Sequence, residues 1–577
     1  GIGKSALVEE FYQAIAKKRG YFIKGKYDPL KRNIPYSGII SAFQVLVRQL
    51  LTESEQQLQQ WREKLLAALQ QQGQVIVDAI PELELIIGQQ PPLEKLSSLQ
   101  AQNRFIFACQ NFMRVFCQPE HPLVIFLDDF HEVDTATLKL IKQIFNDIKT
   151  GYLLLIVAYR EQEVKPNHPL AIAVNELRKK RVAINQINLE SLSLKAVTKL
   201  LADTLQTSNE SVKELANLVY LKTEGNPFFI NNFLGKVYAN KLITFDFDCL
   251  NWRWDLDKIA AMSITDNVVD LLINKLKNLP QSTENILRLA ACIGNNFDLN
   301  TLSIICEKLP DEILQHLVIA VEGGLIQPGQ DYKFTHERVQ QAAYNLIDDK
   351  QKTAIHLQIG CLLLRNSRPG NLSDKIFEIV PHLNLGVGVW QGLSLSYKRQ
   401  KQAKTSIPLN EIAFLNLIAG QKALAAAAYG LGLKYLNAGI QLLGKNSWLS
   451  DYDLTLALYE SAVEAAYLNG DFKQQSKLAE VVLQKAKIQL DKVRVYQIKI
   501  QSCIAQTRLQ EAVDIALQAV ALLGVNIPKK PSHTDLDEAL LETASKLAGK
   551  AILDLIELPP MSEPIALAVM RLLTSAN

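Results

Sequence analysis

The sequence predicts an α/β domain with a parallel sheet and helices on both faces, followed by a helical lid, a winged helix and an all-α solenoid. In the first 190 residues, short and continuous apolar runs alternate with longer amphipathic stretches, as expected for parallel strands buried on both faces. Residues 265–350 show the order of three helices and a hairpin. Beyond about residue 351 the pattern is helical, with a weak internal repeat.

The length of 577 residues predicts several domains, because a single hydrophobic core stops growing well below that size. We place the α/β domain at residues 1–190, with its amino end truncated, and the lid at 191–264. A winged-helix-like domain follows at 265–350, and repeats similar to tetratricopeptide repeats fill 351–577.

Within the α/β domain we expect one helix and three strands around a long helical insertion. The helix is predicted at residues 5–18 and the insertion at 41–115. The strands are predicted at residues 21–26, 123–127 and 152–158.

The winged-helix prediction depends on the order of the elements. Helices are expected near residues 280–293, 298–307 and 310–322. Two short strands, at 325–328 and 332–335, follow Gly323-Gly324 directly, which favours a hairpin over an arbitrary helical connector.

The solenoid prediction depends on self-similarity. The apolar pattern of residues 472–483 recurs 37 residues later, at 509–520, and residues 429–440 are a poorer copy. Small and large apolar positions at helical spacing indicate stacked helix pairs. An amphipathic bundle with a coincidental similarity is the alternative.

Composition limits the class of protein. The net charge of +3 gives no large field for attracting nucleic acid. The seven cysteines lack CxxC spacing, so we expect free thiols in a reducing, cytoplasmic compartment, with neither disulfides nor a zinc site. The most apolar long run, residues 412–433, contains Lys422 and several polar residues, which argues against a membrane span.

The chain opens with Gly1-Ile2-Gly3-Lys4-Ser5, the second half of a phosphate-binding loop. Such a P-loop turns backbone N–H groups and a helix N-terminus toward phosphate oxygens, and adds a Lys for the phosphates and a hydroxyl for Mg²⁺. Gly1, Gly3, Lys4 and Ser5 are therefore candidate ligands of ATP or ADP, and Ser5 is also a candidate ligand of Mg²⁺. We expect the first glycine of the loop and the preceding strand to lie before residue 1. Taken alone, the pentapeptide is also compatible with a chance glycine turn.

A second motif is the apolar strand of residues 123–127 that ends in Asp128 and Asp129, the arrangement known as Walker B. Asp128 would hold Mg²⁺, and Asp129 would orient or deprotonate the attacking water. A strand that ends in an acidic turn is the alternative, but two adjacent carboxylates repel each other unless a cation is near. The two motifs together predict nucleotide binding.

Two arginines are further candidates for contacts with phosphate. Arg160 follows the strand next to Walker B, where a polar side chain can reach the γ-phosphate; the alternative is a surface salt bridge with Glu161 or Glu163. Arg104 has a weaker claim, because its position favours the surface of a helix.

Taken together, these motifs resemble the signal-transduction ATPases with numerous domains (STAND), a branch of the AAA+ class. The chain is similar in particular to the ATPase and helical-repeat region of bacterial, cyanobacterial-type multi-sensor serine/threonine and histidine kinases. The residues that carry the resemblance span essentially the whole chain: 1–8, 32–36, 121–129, 158–160, 224–229, 290–294 and 334–344.

The resemblance implies further roles for this chain. Pro227, in Gly225-Asn226-Pro227, would lie against the adenine, although this tripeptide would break a helix in any protein. His336 would sense the phosphates of the nucleotide; the alternative is an ordinary core or surface histidine. Asp134 matches a family position just past Walker B, where His131-Glu132-Val133-Asp134 departs from the usual Gln-Trp-Ala-Asp-like stretch.

We therefore predict an ATP-binding regulatory module of a multidomain signalling protein, acting as a slow ATP/ADP switch. Its partners would be a protein bound by the solenoid and the kinase and sensor domains of the parent chain, with no membrane span. A non-hydrolysing scaffold is the first alternative. A winged-helix DNA-binding regulator is disfavoured, because residues 310–324 contain three acidic residues and no Lys or Arg, whereas DNA readers need cations.

Overall fold

The computed structural model describes most of the chain, namely residues 2–17, 20–27, 34–93, 98–146, 151–247, 251–261, 273, 275–329, 331–367, 372–392, 407–547 and 561–576. The chain divides into two compact units. One comprises Gly1–Lys95 and Asn103–Lys352, and the other comprises Leu96–Gln102 and Thr353–Asn577.

The first unit contains a three-stranded parallel sheet. Its strands are β1 (Tyr21–Lys26), β2 (Leu123–Asp128) and β3 (Leu153–Val157), in the order β1-β2-β3. The register aligns Lys26 with Asp128 and Leu127 with Val157. Residues 123–127 of β2 are all buried, which explains why this strand appears in the sequence as a continuous apolar run. The prediction of a parallel sheet is confirmed.

Helices cover both faces of the sheet. On one face, Val8 of α1 (Lys4–Lys17) belongs to a cluster with Phe126 and Phe22. On the other face, the ring of Tyr21 meets Trp61 and Phe116 at centroid distances of 6.0 and 6.1 Å. Because successive strand residues point to opposite faces, the neighbours Tyr21 and Phe22 pack on different helices.

The insertion between β1 and β2 is helical, as predicted. Its helices are α2 (Ser37–Leu50), α3 (Glu55–Leu69), α4 (Gly73–Ala79), α5 (Glu84–Ile87) and α6 (Ser98–Phe116). Ser54 begins α3 with a capping box, in which its hydroxyl and the side chain of Gln57 each bond the other's backbone N–H. After β2 the domain continues with α7 (Thr135–Phe145) and α8 (Pro169–Lys179).

The lid contains helices and a hairpin. The helices are α9 (Leu194–Thr204), α10 (Lys213–Thr223), α11 (Pro227–Ala239) and α12 (Leu256–Ala261). The lid also contains an antiparallel pair of strands, β4 (Ile243–Asp246) and β5 (Asn251–Trp254). Phe245 and Trp252 face each other there, with ring centroids 5.4 Å apart. The lid is therefore not purely helical, because cross-strand aromatic pairs stabilise this hairpin.

The segment predicted as a winged helix has its three helices close to the expected positions. They are α13 (Gln281–Ile293), α14 (Leu299–Cys306) and α15 (Pro310–Glu322). The sheet has one strand more than predicted, because β6 (Asn296–Phe297) joins β7 (Ile326–Gln327) and β8 (Tyr332–Phe334) in the order β6-β8-β7. A final helix, α16 (Glu337–Asn345), is fixed by Gln340, whose amide donates to the carbonyl of Ala291 over 2.8 Å.

The second unit is helical in the residues that the structure describes. Its helices, in chain order, are α17 (Asp349–Arg365), α18 (Leu372–Gly386), α19 (Leu409–Ala425), α20 (Tyr429–Leu442), α21 (Ser447–Ser450), α22 (Tyr452–Leu468), α23 (Phe472–Lys485), α24 (Val493–Ala505), α25 (Leu509–Leu522), α26 (His533–Leu547) and α27 (Pro564–Ser575).

Successive helices of the solenoid pack in pairs, α19 with α20, α22 with α23 and α24 with α25. The 37-residue repeat is real at the level of structure, since α23 begins at Phe472, α25 begins at Leu509, and each has 14 residues. The small repeat positions Ala479 and Ala516 are both buried, which allows neighbouring helices to approach closely. α20, which corresponds to the poorer sequence copy, also has 14 residues.

Among the described helices, none has both the length and the apolar character that crossing a bilayer requires.

The lid turn provides a stability test. Gly225 has φ +72°, and a Cβ there would lie 2.1 Å from the carbonyl oxygen of Leu192. We expect Gly225→Ala to lower the free energy of unfolding of the lid by about 1–3 kcal/mol from backbone strain, and by more because the added Cβ also clashes. Hydrogen exchange of α10 and α11 would measure the effect.

The matched control is Gly235→Ala on α11, where an added Cβ meets nothing within 4 Å. Alanine there should be neutral or should stabilise the helix by about 0.5–1 kcal/mol. If both variants exchanged like the wild type, the close approach at Gly225 would be refuted.

Candidate nucleotide-binding site

The carboxyl ends of the three parallel strands place charged side chains at one edge of the sheet. Lys26 ends β1, Asp128 ends β2, and Arg160 follows β3 by three residues. Because parallel strands run in the same direction, their carboxyl ends meet, and in open α/β sheets this edge is where ligands bind.

The two sequence motifs meet at this edge. The hydroxyl of Ser5 donates a hydrogen bond of 2.7 Å to Oδ2 of Asp128, across 123 residues of chain. Gly3 has φ +89°, and the space where a Cβ would project is open to 4 Å. Lys4 is the first residue of α1, so the positive end of the helix dipole lies at this loop. Gly1, the remaining candidate of the loop, lies outside the described residues.

Asp129 adopts an uncommon backbone conformation and is held by cations. Its φ of 50° and ψ of 40° lie in the left-handed region, which Asp tolerates better than most residues. Nζ of Lys26 lies 3.2 Å from one carboxylate oxygen, and a guanidinium nitrogen of Arg160 lies 3.9 Å from the other. The repulsion between Asp128 and Asp129 is thus compensated by protein cations, so the adjacent carboxylates do not by themselves require a metal ion.

Arg160 joins the sheet edge to the winged-helix segment. It pairs with Glu163 at 3.0 Å, one of the two salt bridges considered from the sequence, and with Glu337 at the start of α16. Burial disfavours the charged guanidinium, but Glu337, Asp129 and Glu163 outweigh this effect and raise the pKa of Arg160 above its ordinary value.

His131 and Asp134 lie just past the Walker B motif, where the stretch that begins with His131 departs from the family pattern and Asp134 matches it. Both side chains have partners within the α/β domain. Nε2 of buried His131 lies 3.1 Å from a carboxylate oxygen of Glu163, and burial lowers the pKa of the imidazole. Together with Glu132, these two side chains offer ligand atoms within 4.8 Å of one another. Asp134 caps α7, because its carboxylate accepts hydrogen bonds from the N–H and the hydroxyl of Thr137.

The turn that contains Pro227 connects the lid to the winged-helix segment. Asn226 caps α11 by accepting the N–H of Phe228 at 3.1 Å, and Pro227 occupies the first turn, where its missing N–H costs nothing. The ring of Phe228 lies 4.4 Å from the ring of His336, centroid to centroid. Pro227 is therefore one residue away in sequence from the side chain that contacts His336.

His336 caps α16. Its Nδ1 accepts the N–H of Arg338 at 3.1 Å, which requires the neutral ring with its proton on Nε2. Burial, together with the charges of Lys26, Arg338 and Arg160, lowers the pKa of His336 to about 3. The influence of Lys26 and Arg160 places this histidine within electrostatic reach of the sheet edge.

Lys333, on strand β8 of the winged-helix segment, is a further cation that acts on the charged residues of β1. Burial, and then repulsion by Lys24 and Lys26 of β1, lowers its pKa, while Glu9 opposes this effect in part. Lys333 is thus one of the cations that act on the charged residues of β1.

The structure brings Gly3, Lys4, Ser5, Asp128, Asp129 and Arg160 to one edge of the sheet, with Pro227 and His336 linked to each other through Phe228. Arg104 lies on α6 beside Gln72 and Gln143. Sequence reasoning missed two charged residues of the site. Lys26 could have been found, because it ends a predicted parallel strand. Glu337 could not, because 177 residues separate it from Arg160.

The residues present fit a nucleotide with Mg²⁺. The hydroxyl of Ser5 and the carboxylate of Asp128 are hard oxygen donors already in contact, which is the ligand chemistry that Mg²⁺ prefers. The open space above Gly3 lets a phosphate approach the backbone closely.

Comparison with known proteins agrees with this geometry. Residues 1–157 match the family model described as an AAA ATPase domain. The chain is 26% identical to the hybrid signal transduction histidine kinase G of Dictyostelium discoideum, over 96% of this chain and 19% of that protein. It is 22% identical to the peroxide stress-activated histidine kinase mak3 of Schizosaccharomyces pombe, over 84% of this chain and 22% of that protein. The chain thus spans about a fifth of the length of the curated relatives it matches.

Among solved structures, a STAND protein with a tetratricopeptide repeat sensor from Pyrococcus horikoshii aligns with 98% of this chain and 76% of its own. The sequence identity is 12% and the TM-score is 0.32. Independently of this alignment, the family model shows that residues 1–157 are similar to AAA ATPase domains, as the two motifs predict. That the parent is bacterial stays a prediction.

The capping role of His336 predicts a pH dependence of stability. Its pKa of about 3 lies below the ordinary value of 6.5, so the unfolded chain binds the proton more readily between these values. The stability that neutral His336 contributes to the folded state is fully present above about pH 6.5 and is lost as the pH falls toward 3. Wild-type protein should lose up to about 2 kcal/mol from this group between pH 7 and pH 5, because each pKa unit corresponds to about 1.4 kcal/mol.

His336→Asn keeps a capping acceptor but cannot titrate. The free energy of unfolding in urea, measured with a probe that reports on α16, should be nearly equal for the two proteins at pH 7.5. At pH 5 this free energy should fall less in the variant than in the wild type. Equal losses in both proteins would show that His336 does not carry this pH dependence.

Proposed function

We propose that this chain is the ATP-binding regulatory module of a multidomain signal-transduction protein and acts as a slow ATP/ADP switch. The observation that carries the proposal is the hydrogen bond between Ser5 and Asp128, which joins a phosphate-loop sequence to a Walker B strand. The similarity of residues 1–157 to AAA ATPase domains, and of most of the chain to part of two histidine kinases, supports it.

The amino-terminal residues would bind the phosphates. The backbone at Gly3 and the first turn of α1 would donate N–H groups to phosphate oxygens, and the ammonium group of Lys4 would pair with the β- and γ-phosphates. Ser5 and Asp128 would hold Mg²⁺. When bound, Mg²⁺ neutralises negative charge on the phosphates and polarises them.

The lid and the winged-helix segment would respond to the ligand. Pro227 would lie against the adenine, and neutral His336 would donate its Nε2–H to a phosphate oxygen. Phe228 of the lid packs on His336 and on the core of the winged-helix segment. A nucleotide that contacts Pro227 and His336 would therefore act on the lid and on the winged-helix segment together. A ligand that favours one arrangement by about 5.5 kcal/mol shifts its population from about 1:99 to 99:1.

Hydrolysis would reset the switch. Asp129 would orient or deprotonate a water molecule, and Arg160 would contact the terminal phosphate. One observation favours a second candidate function, a scaffold that binds nucleotide without turnover. Asp129 is already paired with Lys26, and a carboxylate held by a cation is less available as a base.

The solenoid would bind a protein partner. Stacked helix pairs create extended surfaces that serve this purpose in repeat proteins. Phe414, Leu449 and Leu509 leave apolar surface exposed within the second unit, which supports a partner with apolar side chains. A kinase domain would lie elsewhere in the parent protein, as the names of the relatives suggest, and sensor domains would accompany it.

The phosphate-binding role of Lys4 is open to direct test. Isothermal titration with ADP and with a non-hydrolysable ATP analogue, with and without Mg²⁺, is carried out on a chain that includes a complete phosphate loop. Lys4→Ala should weaken binding by roughly 10- to 100-fold, because a hydrogen bond to a charged group contributes about 1.5–3 kcal/mol.

Lys213→Ala is the matched control, since Lys213 is also the first residue of a helix, α10, and is exposed. It should bind nucleotide like the wild type. Unchanged binding in Lys4→Ala would refute the switch.

The role of Asp129 distinguishes the switch from the scaffold. Asp129→Asn should abolish Mg²⁺-dependent phosphate release and leave nucleotide affinity within a few-fold of the wild type, because the amide cannot accept the proton of water. Release of phosphate from ATP under single-turnover conditions is the measurement, with the exposed Asp203→Asn as the control. Wild-type protein that binds ATP without releasing phosphate above background would favour the scaffold.

A further inference from the structure

Arg160 is shared by carboxylates from two different parts of the chain. Asp129 and Glu163 belong to the α/β domain, at 3.9 and 3.0 Å from guanidinium nitrogens. Glu337 belongs to the segment after the wing and is bound to the Nη2 atom. One residue that can contact phosphate therefore also anchors α16.

Glu337 is the better protected of the two glutamates. Its side chain is 15% exposed, whereas that of Glu163 is 43% exposed. Glu337 is also the first residue of α16, directly after the cap at His336, so the helix dipole stabilises its negative charge. The carboxylate of the Arg160–Glu337 pair is thus partly shielded from solvent and belongs to the helix that His336 caps.

The carboxylates around Arg160 carry more negative charge than its one positive charge can neutralise. Three carboxylates approach this one guanidinium, and Lys26 compensates the charge of Asp129 only. A terminal phosphate brought to Arg160 would add further negative charge at the same place. The phosphate and the Glu337 carboxylate therefore compete, since both are anions whose oxygens accept hydrogen bonds from the same guanidinium.

We propose that Glu337 stands in for the terminal phosphate of a nucleoside triphosphate, pairing with Arg160 until a triphosphate displaces it. This inference rests on the proposed nucleotide site and adds a regulatory residue to it. A diphosphate leaves the Arg160–Glu337 pair intact, and a triphosphate breaks it. Glu337 consequently sets the selectivity for diphosphate over triphosphate and couples that selectivity to the attachment of α16.

The coupling is reciprocal. If a bound triphosphate favours detachment of α16 by some factor, detachment of α16 must raise triphosphate affinity by the same factor. Removing the charge of Glu337 should therefore have two effects that appear together, one on α16 and one on ligand preference.

The test uses Glu337→Gln in the protein that serves for the Lys4 titrations. Without nucleotide, amide exchange of residues 337–345 should become roughly tenfold faster, within the range typical of coupled sites. Affinity for the ATP analogue should rise roughly tenfold relative to that for ADP. Glu163→Gln removes another partner of Arg160 and leaves the Arg160–Glu337 pair in place, so it should not accelerate the exchange of residues 337–345.

A charge exchange separates the ion pair from other effects of the substitution. The double variant Arg160→Glu with Glu337→Arg restores attraction between the two positions, so it should return the exchange of residues 337–345 toward the wild-type rate without restoring a contact to phosphate.

Two results would overturn the proposal: wild-type exchange of residues 337–345 in Glu337→Gln, or equal changes in its ADP and ATP-analogue affinities. Failure of the nucleotide site itself would appear separately, as unchanged binding in Lys4→Ala.

Discussion

The parallel alignment of three strands is the constraint on which the rest of the first unit depends. A buried strand has no room for an uncompensated charge, so polar and charged residues follow where each strand ends. Because β1, β2 and β3 run in the same direction, Lys26, Asp128 and Arg160 meet at one edge. Ser5 reaches the same edge from the start of α1, and its hydrogen bond to Asp128 fixes the loop against the Walker B strand.

Charge balance at that edge explains how the winged-helix segment takes part. Asp129 is compensated by Lys26 and Arg160, and Arg160 in turn binds Glu337 of α16. His336, the neighbour of Glu337, remains neutral because burial and surrounding cations disfavour its protonated form. The site therefore combines a neutral donor and an acidic group on one short helix, and their spacing from the sheet edge depends on how that helix is attached.

Sequence patterns predicted elements whose signals are local. The five buried residues of β2 form a continuous apolar run, and α13 to α15 keep their helical periodicity, so their positions were found within a few residues. β6 escaped prediction because it has only two residues, and its pairing partner, β8, lies more than 30 residues away. The hairpin of β4 and β5 escaped because its alternating aromatic and polar residues are few. The sequence indicated that a cation must lie near the adjacent carboxylates without naming one for Asp129, and the fold supplies Lys26 and Arg160 there.

By itself, the sequence determined the classes of element, the two nucleotide-binding motifs and the repeat of the solenoid, because each depends on spacing along a short stretch of chain. Tertiary structure alone decided that Arg160 pairs with Glu337 and that Phe228 packs on His336. These contacts join residues more than 100 positions apart, and no local periodicity encodes them. The difference has a physical reason: propensity and patterning act over a few turns of helix or strand, whereas the partner of a charge is set by how whole elements pack.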